Sequence, residues 1–236
     1  MSKRVVITGA NRGIGLALTG GLIDAGHRVL AGCRTPSQAG ELRALGPEAI
    51  VGVDMADAAS VAAFAREADQ QFGAIDLLIN NAGIDARSAG CDFDKRGPMV
   101  IEPEAVLDVT RVNAVGPMLL TRHLAPALSR PDQSVVVNVS SQLGSMVVGG
   151  SRGGDVAYNV SKAALNMVSV MMADRLGKHD IAVVALHPGW VRTDMGGERG
   201  ELAVEDAAAT LVATIGELTM ADSGRFIRPD GSDHPW

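Results

Sequence analysis

The chain alternates between short runs of apolar, largely β-branched residues and longer segments whose apolar positions recur at helical spacing. The short runs carry apolar residues on both faces, which is typical of parallel strands buried within a sheet. They predict strands at residues 3–8, about 27–33, 49–53, 75–80, 134–139, 181–186 and about 225–227. The periodic segments predict a helix that ends near residue 25 and further helices at 38–45, 57–72, 103 or 104 to about 129, 158–177 and about 204–218.

This succession of strands and helices predicts an α/β fold with a doubly wound parallel sheet of about seven strands. We expect helices on both faces of the sheet and right-handed crossovers. The length fits one domain, so residues 1–236 are interpreted as a single unit. In the longest helix, Pro117 is expected to produce a kink because proline lacks the backbone donor. A polar segment at 84–102 and a glycine-rich excursion at 142–154 interrupt the pattern, and both are expected to lie at the rim of a site.

Composition and charge argue against several classes of protein. No apolar run approaches the roughly 18 residues of a membrane span, and the first residues enter a strand rather than a signal peptide. We therefore expect a cytoplasmic protein that does not associate with membranes. The net charge of −6 and the scattered arginines argue against nucleic-acid binding. Cys33 and Cys91 are too few for a disulfide framework and lack the spacing of a metal site, so no metal is predicted.

A glycine-rich turn joins the first strand to the first helix. A helix start offers unpaired N–H groups and partial positive charge, and glycines let a pyrophosphate approach the backbone closely. The alternative is an ordinary tight turn, which the position directly after the first strand makes weaker. The turn therefore predicts a dinucleotide site of the Rossmann type, with these candidate contacts: Gly9, Asn11, Arg12, Gly13, Ile14 and Gly15.

The end of the second strand selects between the two nicotinamide dinucleotides. An acidic residue there would bind the ribose 2′-hydroxyl of NAD, but this chain has Cys33 followed by Arg34. Arg34 and Arg12 could form a guanidinium fork for a 2′-phosphate, so we infer NADP rather than NAD. The alternative is that Arg34 is only a solvated loop charge. Asp54, at the end of the third strand, is well placed for an adenine edge.

Two later strand ends carry further cofactor candidates. Small and amide side chains follow the fourth strand and could seal a cofactor against the sheet edge. After the sixth strand, a Pro-Gly turn next to hydroxyl and backbone donors could hold a nicotinamide amide, whereas His187 is interpreted as a packing residue. The candidates are Asn81, Ala82, Gly83, Pro188, Gly189, Val191 and Thr193.

Tyr158 and Lys162 lie four residues apart in a predicted helix, so their side chains share one face. An ammonium close to a phenol favours the phenolate, and we expect the pKa of Tyr158 to fall from about 10 toward neutrality. Such a tyrosine can act as a general acid or base. The alternative is a half-buried core tyrosine with a solvated lysine nearby. The chain has a single tyrosine and four lysines, so this spacing is uncommon by chance.

Together these motifs resemble the short-chain dehydrogenase/reductase superfamily over essentially the whole chain. The residues that carry the resemblance are Thr8-Gly9-x-x-x-Gly13-x-Gly15, Asn80-Asn81-Ala82-Gly83, Asn113, Ser141, Tyr158-x-x-x-Lys162 and Pro188-Gly189. The run at 187–197, the pair Cys33-Arg34 and the ending at 230–236 are most similar to the carbonyl-reductase branch that includes sniffer and the bacterial C-factor proteins.

The resemblance implies a catalytic tetrad. Tyr158 would be the general acid in reduction, and Lys162 would lower its pKa and hold the nicotinamide ribose hydroxyls. Ser141 would bind the substrate carbonyl, with Ser140 as the second choice, and Asn113 would position a water that links Lys162 to solvent. Seventeen positions separate Ser141 from Tyr158, which is longer than the common spacing in the family and indicates an individual substrate pocket.

The expected activity is hydride transfer between NADPH and a ketone or aldehyde, with secondary alcohol oxidation as the reverse. Two alternatives stay open: a nucleotide-binding signalling protein of the C-factor type, and an isomerase or dehydratase on the same scaffold. Trp190 and Met195 suggest an apolar, moderately bulky small-molecule substrate. Family likeness favours a homo-oligomer, either a dimer or a tetramer, in which Val168, Met171 and Met172 could face a partner helix or the sheet.

Overall fold

The computed structural model describes residues 2–149 and 154–236, so part of the predicted excursion at 142–154 lies outside the described residues. Seven parallel strands form one sheet in the order β3-β2-β1-β4-β5-β6-β7. Their bounds are β1 Arg4–Thr8, β2 Arg28–Cys33, β3 Ala49–Gly52, β4 Leu77–Asn80, β5 Ser134–Val139, β6 Ile181–Leu186 and β7 Phe226–Ile227. The predicted α/β class and the parallel, doubly wound sheet are confirmed.

Helices cover both faces of the sheet, as predicted. Their bounds are α1 Gly13–Asp24, α2 Gly40–Ala44, α3 Ala58–Phe72, α4 Pro103–Thr110, α5 Gly116–Leu128, α6 Val156–Leu176 and α7 Val204–Glu217. Within the described parts of the chain, no helix is both long and apolar enough to cross a bilayer.

The alternation of side chains along each strand sorts the core into two layers. On β1, Val5 and Ile7 face a layer that also contains Leu18 of α1 and Leu211 of α7. Val6 faces the opposite layer, which is built on α3, α5 and the C-terminal half of α6. Both layers consist of buried apolar side chains, and together they support the sheet whose carboxyl edge carries the glycine-rich turn.

The longest predicted helix is interrupted on the N-terminal side of Pro117. A π-helical segment, Arg111–Val115, joins α4 to α5, and Pro117 lies in the first turn of α5, where the missing N–H is tolerated. Proline also leaves the carbonyl of Asn113, four residues earlier, without its α-helical donor. The predicted continuous helix is therefore interrupted by a local change of helix type, which falls on the segment that carries Asn113.

Helix α6 begins at Val156, two residues before the predicted start. Asp155 caps it, since its Oδ1 accepts a hydrogen bond of 3.0 Å from the Tyr158 N–H. The cap places Tyr158 in the first turn of the helix rather than at its boundary, and the orientation of the side chain is set by a fully formed turn.

Candidate active site

The carboxyl edge of the sheet opens into a cavity of about 660 Å³. Loops that follow β1, β2, β3, β4, β5 and β6 form its walls together with the first turn of α6. Fifteen of the predicted site residues line it: Gly9, Asn11, Arg12, Gly13, Ile14, Gly15, Arg34, Asp54, Asn81, Ala82, Gly83, Tyr158, Lys162, Pro188 and Thr193. One continuous space therefore joins the glycine-rich turn to the predicted catalytic pair.

Four predicted residues, Asn113, Ser141, Gly189 and Val191, are not part of the cavity wall. The wall also contains Ser140, the second choice for the catalytic serine, Met195, which was expected at the substrate pocket, and Ile84, Ser88 and Ala89 of the segment expected at the rim. The remaining wall residues were not predicted as site residues: Cys33, Val53, Met55, Ala56, Asp108, Val112, Val139, Arg192, Asp194 and Val204. Most adjoin a predicted motif in the sequence and could have been found by extending each strand end by one or two residues. Asp108 and Val112 belong to a helical region and carry no local signal.

The glycine-rich turn leaves no room for side chains beneath a bound pyrophosphate. Gly9 and Gly13 have φ values of +65° and +52°, which favour glycine. A Cβ on Gly15 would lie 2.1 Å from the Gly9 carbonyl oxygen. Asn81 fastens this turn from β4, because its Nδ2 donates to the carbonyl oxygens of Thr8 at 3.0 Å and Gly9 at 3.1 Å. The turn is therefore a cradle that fits a phosphate group next to the start of α1.

The two arginines considered for a 2′-phosphate have different surroundings. Arg34 lies on the wall, and no carboxylate of the described residues comes within ion-pair distance of it. Arg12 Nη1, in contrast, lies 3.1 Å from Asp194 Oδ2 of the segment that follows β6. One guanidinium is therefore available to an anionic ligand, and the other already has a carboxylate partner.

Tyr158 and Lys162 share one face of α6, as their spacing predicts. Lys162 Nζ lies 5.6 Å from the Tyr158 ring centroid and donates a 2.7 Å hydrogen bond to the carbonyl oxygen of Val139. Only 3% of Lys162 is exposed, and burial lowers the pKa of its ammonium to about 8. The lysine is therefore a buried cation anchored to the end of β5.

The expected lowering of the Tyr158 pKa is wrong for this molecule. Burial raises the pKa of Tyr158 to about 12, although a hydrogen bond with Ser141 lowers it, and the carboxylates of Asp85 and Asp155 raise it further. The four-residue spacing shows only the nearby cation and not the burial of the phenol. Removal of a phenolate from water outweighs that attraction here.

The two adjacent serines have different partners. Ser140 Oγ donates to Asn166 Oδ1 at 2.5 Å and is buried. Ser141 caps the short 3₁₀ turn Gln142–Gly144, where its Oγ accepts from the Leu143 N–H at 3.1 Å. Although Ser140 lines the cavity, Ser141 is the serine whose side chain lowers the pKa of Tyr158.

The amide of Asn113 joins the loop after β4 to α6. Its Oδ1 accepts from the Ile84 N–H at 2.8 Å, and its Nδ2 donates to the Ile84 carbonyl at 2.8 Å and to Ser161 Oγ at 2.9 Å. Both N–H donors of the side chain are therefore used by protein groups. A Cβ added to Gly83 would lie 3.3 Å from Asn113 Oδ1 and 3.6 Å from Lys162 Nζ, so the two residues flank the same glycine.

Two carboxylates tie the rim segment at 84–102 to the site. Asp155 Oδ2 accepts from the Ala86 N–H at 3.1 Å and lies 3.6 Å from Arg96 Nη1. Asp85 is buried, which alone would raise its pKa, but hydrogen bonds from Arg87 and Ser88 outweigh burial and hold the pKa below its usual value. The Asp85 carboxylate is therefore held in its charged form near Tyr158.

Comparison with known proteins supports the family resemblance that the sequence motifs carry. The model of the short-chain dehydrogenase family matches residues 3–202. The C-signal protein of Myxococcus xanthus is 36% identical over 168 residues, which cover 70% of this chain and 94% of that protein. The carbonyl reductase Sniffer of D. melanogaster has a TM-score of 0.90 at 29% identity, with both chains fully covered. The NADPH-bound carbonyl reductase from chicken fatty liver has a TM-score of 0.89 at 30% identity, with 100% of this chain and 99% of that chain covered. The chain belongs to the short-chain dehydrogenase/reductase family of oxidoreductases.

Proposed function

We propose that the protein is an NADPH-dependent carbonyl reductase that converts small ketones or aldehydes to alcohols. The observation that carries the proposal is that Tyr158 and Lys162 line the same cavity as the glycine-rich turn. A dinucleotide long enough to reach from the turn to the tyrosine would bring its nicotinamide beside the phenol. The similarity to two carbonyl reductases of solved structure supports this reaction class.

The residues on the wall fit a dinucleotide phosphate. The crowding around Gly9 and Gly15 leaves a phosphate-sized cradle at the start of α1. Arg34 lies where an acidic residue would favour NAD, and its guanidinium is suited to a 2′-phosphate. When bound, NADPH supplies the hydride that reduces the carbonyl carbon.

The protonation state of Tyr158 favours the reductive direction. With a pKa of about 12 the phenol keeps its proton at neutral pH, so it can donate that proton to the oxygen of a carbonyl substrate. Ser141 hydrogen-bonds the same tyrosine and would donate to the substrate oxygen as negative charge develops. Lys162, buried and largely protonated below pH 8, would stabilise the tyrosinate that remains.

After Tyr158 has given its proton to the substrate, it must receive another from solvent, and we assign this step to the region of Asn113. Its side-chain donors are used within the protein, but its backbone carbonyl lacks the α-helical donor that Pro117 would otherwise provide. We assign this carbonyl, rather than the amide, as the group that would hold a water near Lys162. Such a water would return a proton to the tyrosine by way of the lysine.

An assay with a panel of ketones and aldehydes, read by loss of NADPH absorbance and repeated with NADH, tests the proposal. The substitution Tyr158→Phe should reduce turnover by a factor of about 10² or more, since it removes the general acid and keeps the ring. NADPH binding, followed by fluorescence, should persist. Retained turnover in Tyr158→Phe would refute the role of Tyr158, and preference for NADH would refute the cofactor assignment.

A second candidate function is nucleotide-dependent signalling, which the similarity to the C-signal protein favours. A signalling protein needs the glycine-rich turn but does not need the proton-transfer groups. In the producing organism, a Tyr158→Phe strain with an unchanged phenotype and a Gly15→Ala strain with a lost phenotype would favour signalling. Loss of the phenotype in both strains would favour catalysis.

The exposed apolar face of α6 is proposed as a contact between copies of this chain. Met167 and Met171 are 61% and 62% exposed, whereas Met172 packs against the sheet. Leu107 of α4 is also 60% exposed, and α4 packs against α6. Sedimentation of the wild-type chain and of Met171→Lys measures whether this face joins two copies.

A further inference from the structure

The ion pair between Arg12 and Asp194 spans two segments that are far apart in the sequence. Arg12 belongs to the glycine-rich turn after β1, and Asp194 belongs to the segment after β6. Arg12 Nη1 and Asp194 Oδ2 lie 3.1 Å apart, with 54% and 81% of the two side chains exposed. The pair therefore lies at the mouth of the cavity, where a ligand can reach both groups.

Other contacts keep Asp194 near this position. Arg87 Nη2 donates to the carbonyl oxygens of Met195 at 3.0 Å and Asp194 at 3.4 Å. A Cβ on Gly13 would lie 3.3 Å from Thr193 Cγ2, which places the segment directly against the turn. If Arg12 turns to another anion, the Asp194 carboxylate stays close by.

We propose that Asp194 competes with the 2′-phosphate of the cofactor for Arg12 and is therefore a specificity-determining residue that weakens the preference for NADPH over NADH. This inference rests on the proposed function, in which NADPH is the cofactor, and on the sequence-based expectation that Arg12 joins Arg34 at its 2′-phosphate. A 2′-phosphate must break the existing pair to gain the Arg12 guanidinium, and it then meets the released carboxylate. NADH, whose adenosine ribose carries a 2′-hydroxyl instead of the phosphate, leaves the Arg12–Asp194 ion pair intact.

The size of the effect follows from the exposure of the pair. Exposed ion pairs contribute little because water and salt screen them. Removing the competing charge should therefore tighten NADPH binding by about two- to fivefold, a factor that calorimetry resolves. The gain should shrink as the ionic strength rises from about 0.05 M to 0.5 M.

The test measures dissociation constants of NADPH and NADH, and also of adenosine 2′,5′-bisphosphate and AMP, which lack the nicotinamide. Asp194→Asn keeps the size of the side chain and removes its charge. Asp194→Asn should lower the dissociation constants of the two 2′-phosphorylated ligands and leave those of NADH and AMP nearly unchanged. Glu198→Gln is the matched control, since it removes the same charge from the same segment and forms no ion pair in the described part of the chain.

A double-mutant cycle assigns the effect to the pair. In an Arg12→Ala background, Asp194→Asn should change the affinity for NADPH clearly less than it does in the wild type, because no guanidinium is left to compete for. Unchanged or weakened NADPH binding in Asp194→Asn, or an equal gain in Glu198→Gln, would overturn the inference. The NADP assignment fails separately, if neither Arg12→Ala nor Arg34→Ala reduces the preference for the 2′-phosphorylated ligands.

Discussion

The nucleotide side of the cavity and its rim are built in different ways. On the nucleotide side, Gly9 and Gly15 are fixed by backbone geometry, and the side chain of Asn81, which follows β4, donates hydrogen bonds to the backbone at the end of β1. At the rim, side-chain contacts join loops from distant parts of the chain, such as Arg87 to the Met195 carbonyl and Asp155 to Ala86. The nucleotide side therefore depends on a few positions without side chains, whereas the rim depends on charges and their partners.

Because the two regions are built differently, substitutions in them should affect different properties of the enzyme. A backbone cradle accepts one kind of ligand and tolerates little change, because any added atom meets a neighbouring main chain. A rim held by side-chain pairs can change its shape and charge without disturbing the sheet. Substitutions on the nucleotide side should affect folding and cofactor binding together, and those at the rim should change pH dependence and the fit of the substrate.

The largest expected effect is that of Gly15→Ala on the nucleotide side. The new Cβ would lie 2.1 Å from the Gly9 carbonyl oxygen and 2.4 Å from Asn81 Nδ2, so the turn must shift. We expect a loss of about 1–3 kcal/mol in the free energy of unfolding, together with loss of NADPH binding. Denaturant unfolding and a fluorescence titration measure the two effects.

Gly20→Ala is the matched control in the same helix. A Cβ on Gly20 meets only the side chain of Leu45, at 3.6 Å, and alanine favours a helix interior over glycine. This variant should be as stable as the wild type or slightly more so. If Gly15→Ala and Gly20→Ala are equally stable and bind NADPH equally well, the contacts around Gly15 do not constrain the turn.

His187 follows β6 outside the wall of the site cavity, beside Arg228 and His234, and should make stability depend on pH. Burial, together with the nearby His234 and Arg228, lowers the pKa of His187 to about 4 from an ordinary value near 6.5. Its stabilising contribution is therefore present above pH 6.5 and is lost as the pH falls toward 4, because the unfolded chain takes up the proton first. Between pH 7.5 and 5.0 the loss should be about 2 kcal/mol.

The comparison variant is His187→Gln, which cannot titrate. Thermal or denaturant unfolding at the two pH values should show a smaller decrease for His187→Gln than for the wild type, by about 2 kcal/mol. Equal decreases in the two proteins would mean that another group is responsible.

The smallest expected effect concerns the cap of α6. Asp155→Asn keeps a side-chain oxygen for the Tyr158 N–H and removes the charge that raises the pKa of Tyr158. The alkaline limit of the reductive pH profile should therefore move to lower pH. Asp155→Ala removes the cap as well and should be less stable than Asp155→Asn by about 1 kcal/mol. An unshifted pH profile in Asp155→Asn would show that this charge does not act on the phenol.

Local patterns in the sequence were sufficient for the fold and for the nucleotide side of the cavity. The strands β5 and β6 have the predicted bounds, and the turn from Gly9 to Gly15 lies where its position after β1 indicated. These features depend on side-chain alternation, helical spacing and glycine backbone freedom, which act over a few residues. Such effects can be read from neighbouring positions alone.

The tertiary structure alone decided the electrostatics and the rim. Spacing placed Tyr158 and Lys162 on one face, but the pKa of Tyr158 also depends on burial and on Asp85, whose proximity no local pattern shows. The partner of Arg12 lies 182 positions away in the chain. Burial and long-range charge depend on which loops meet in space, and that is set only when the whole sheet and its helices are assembled.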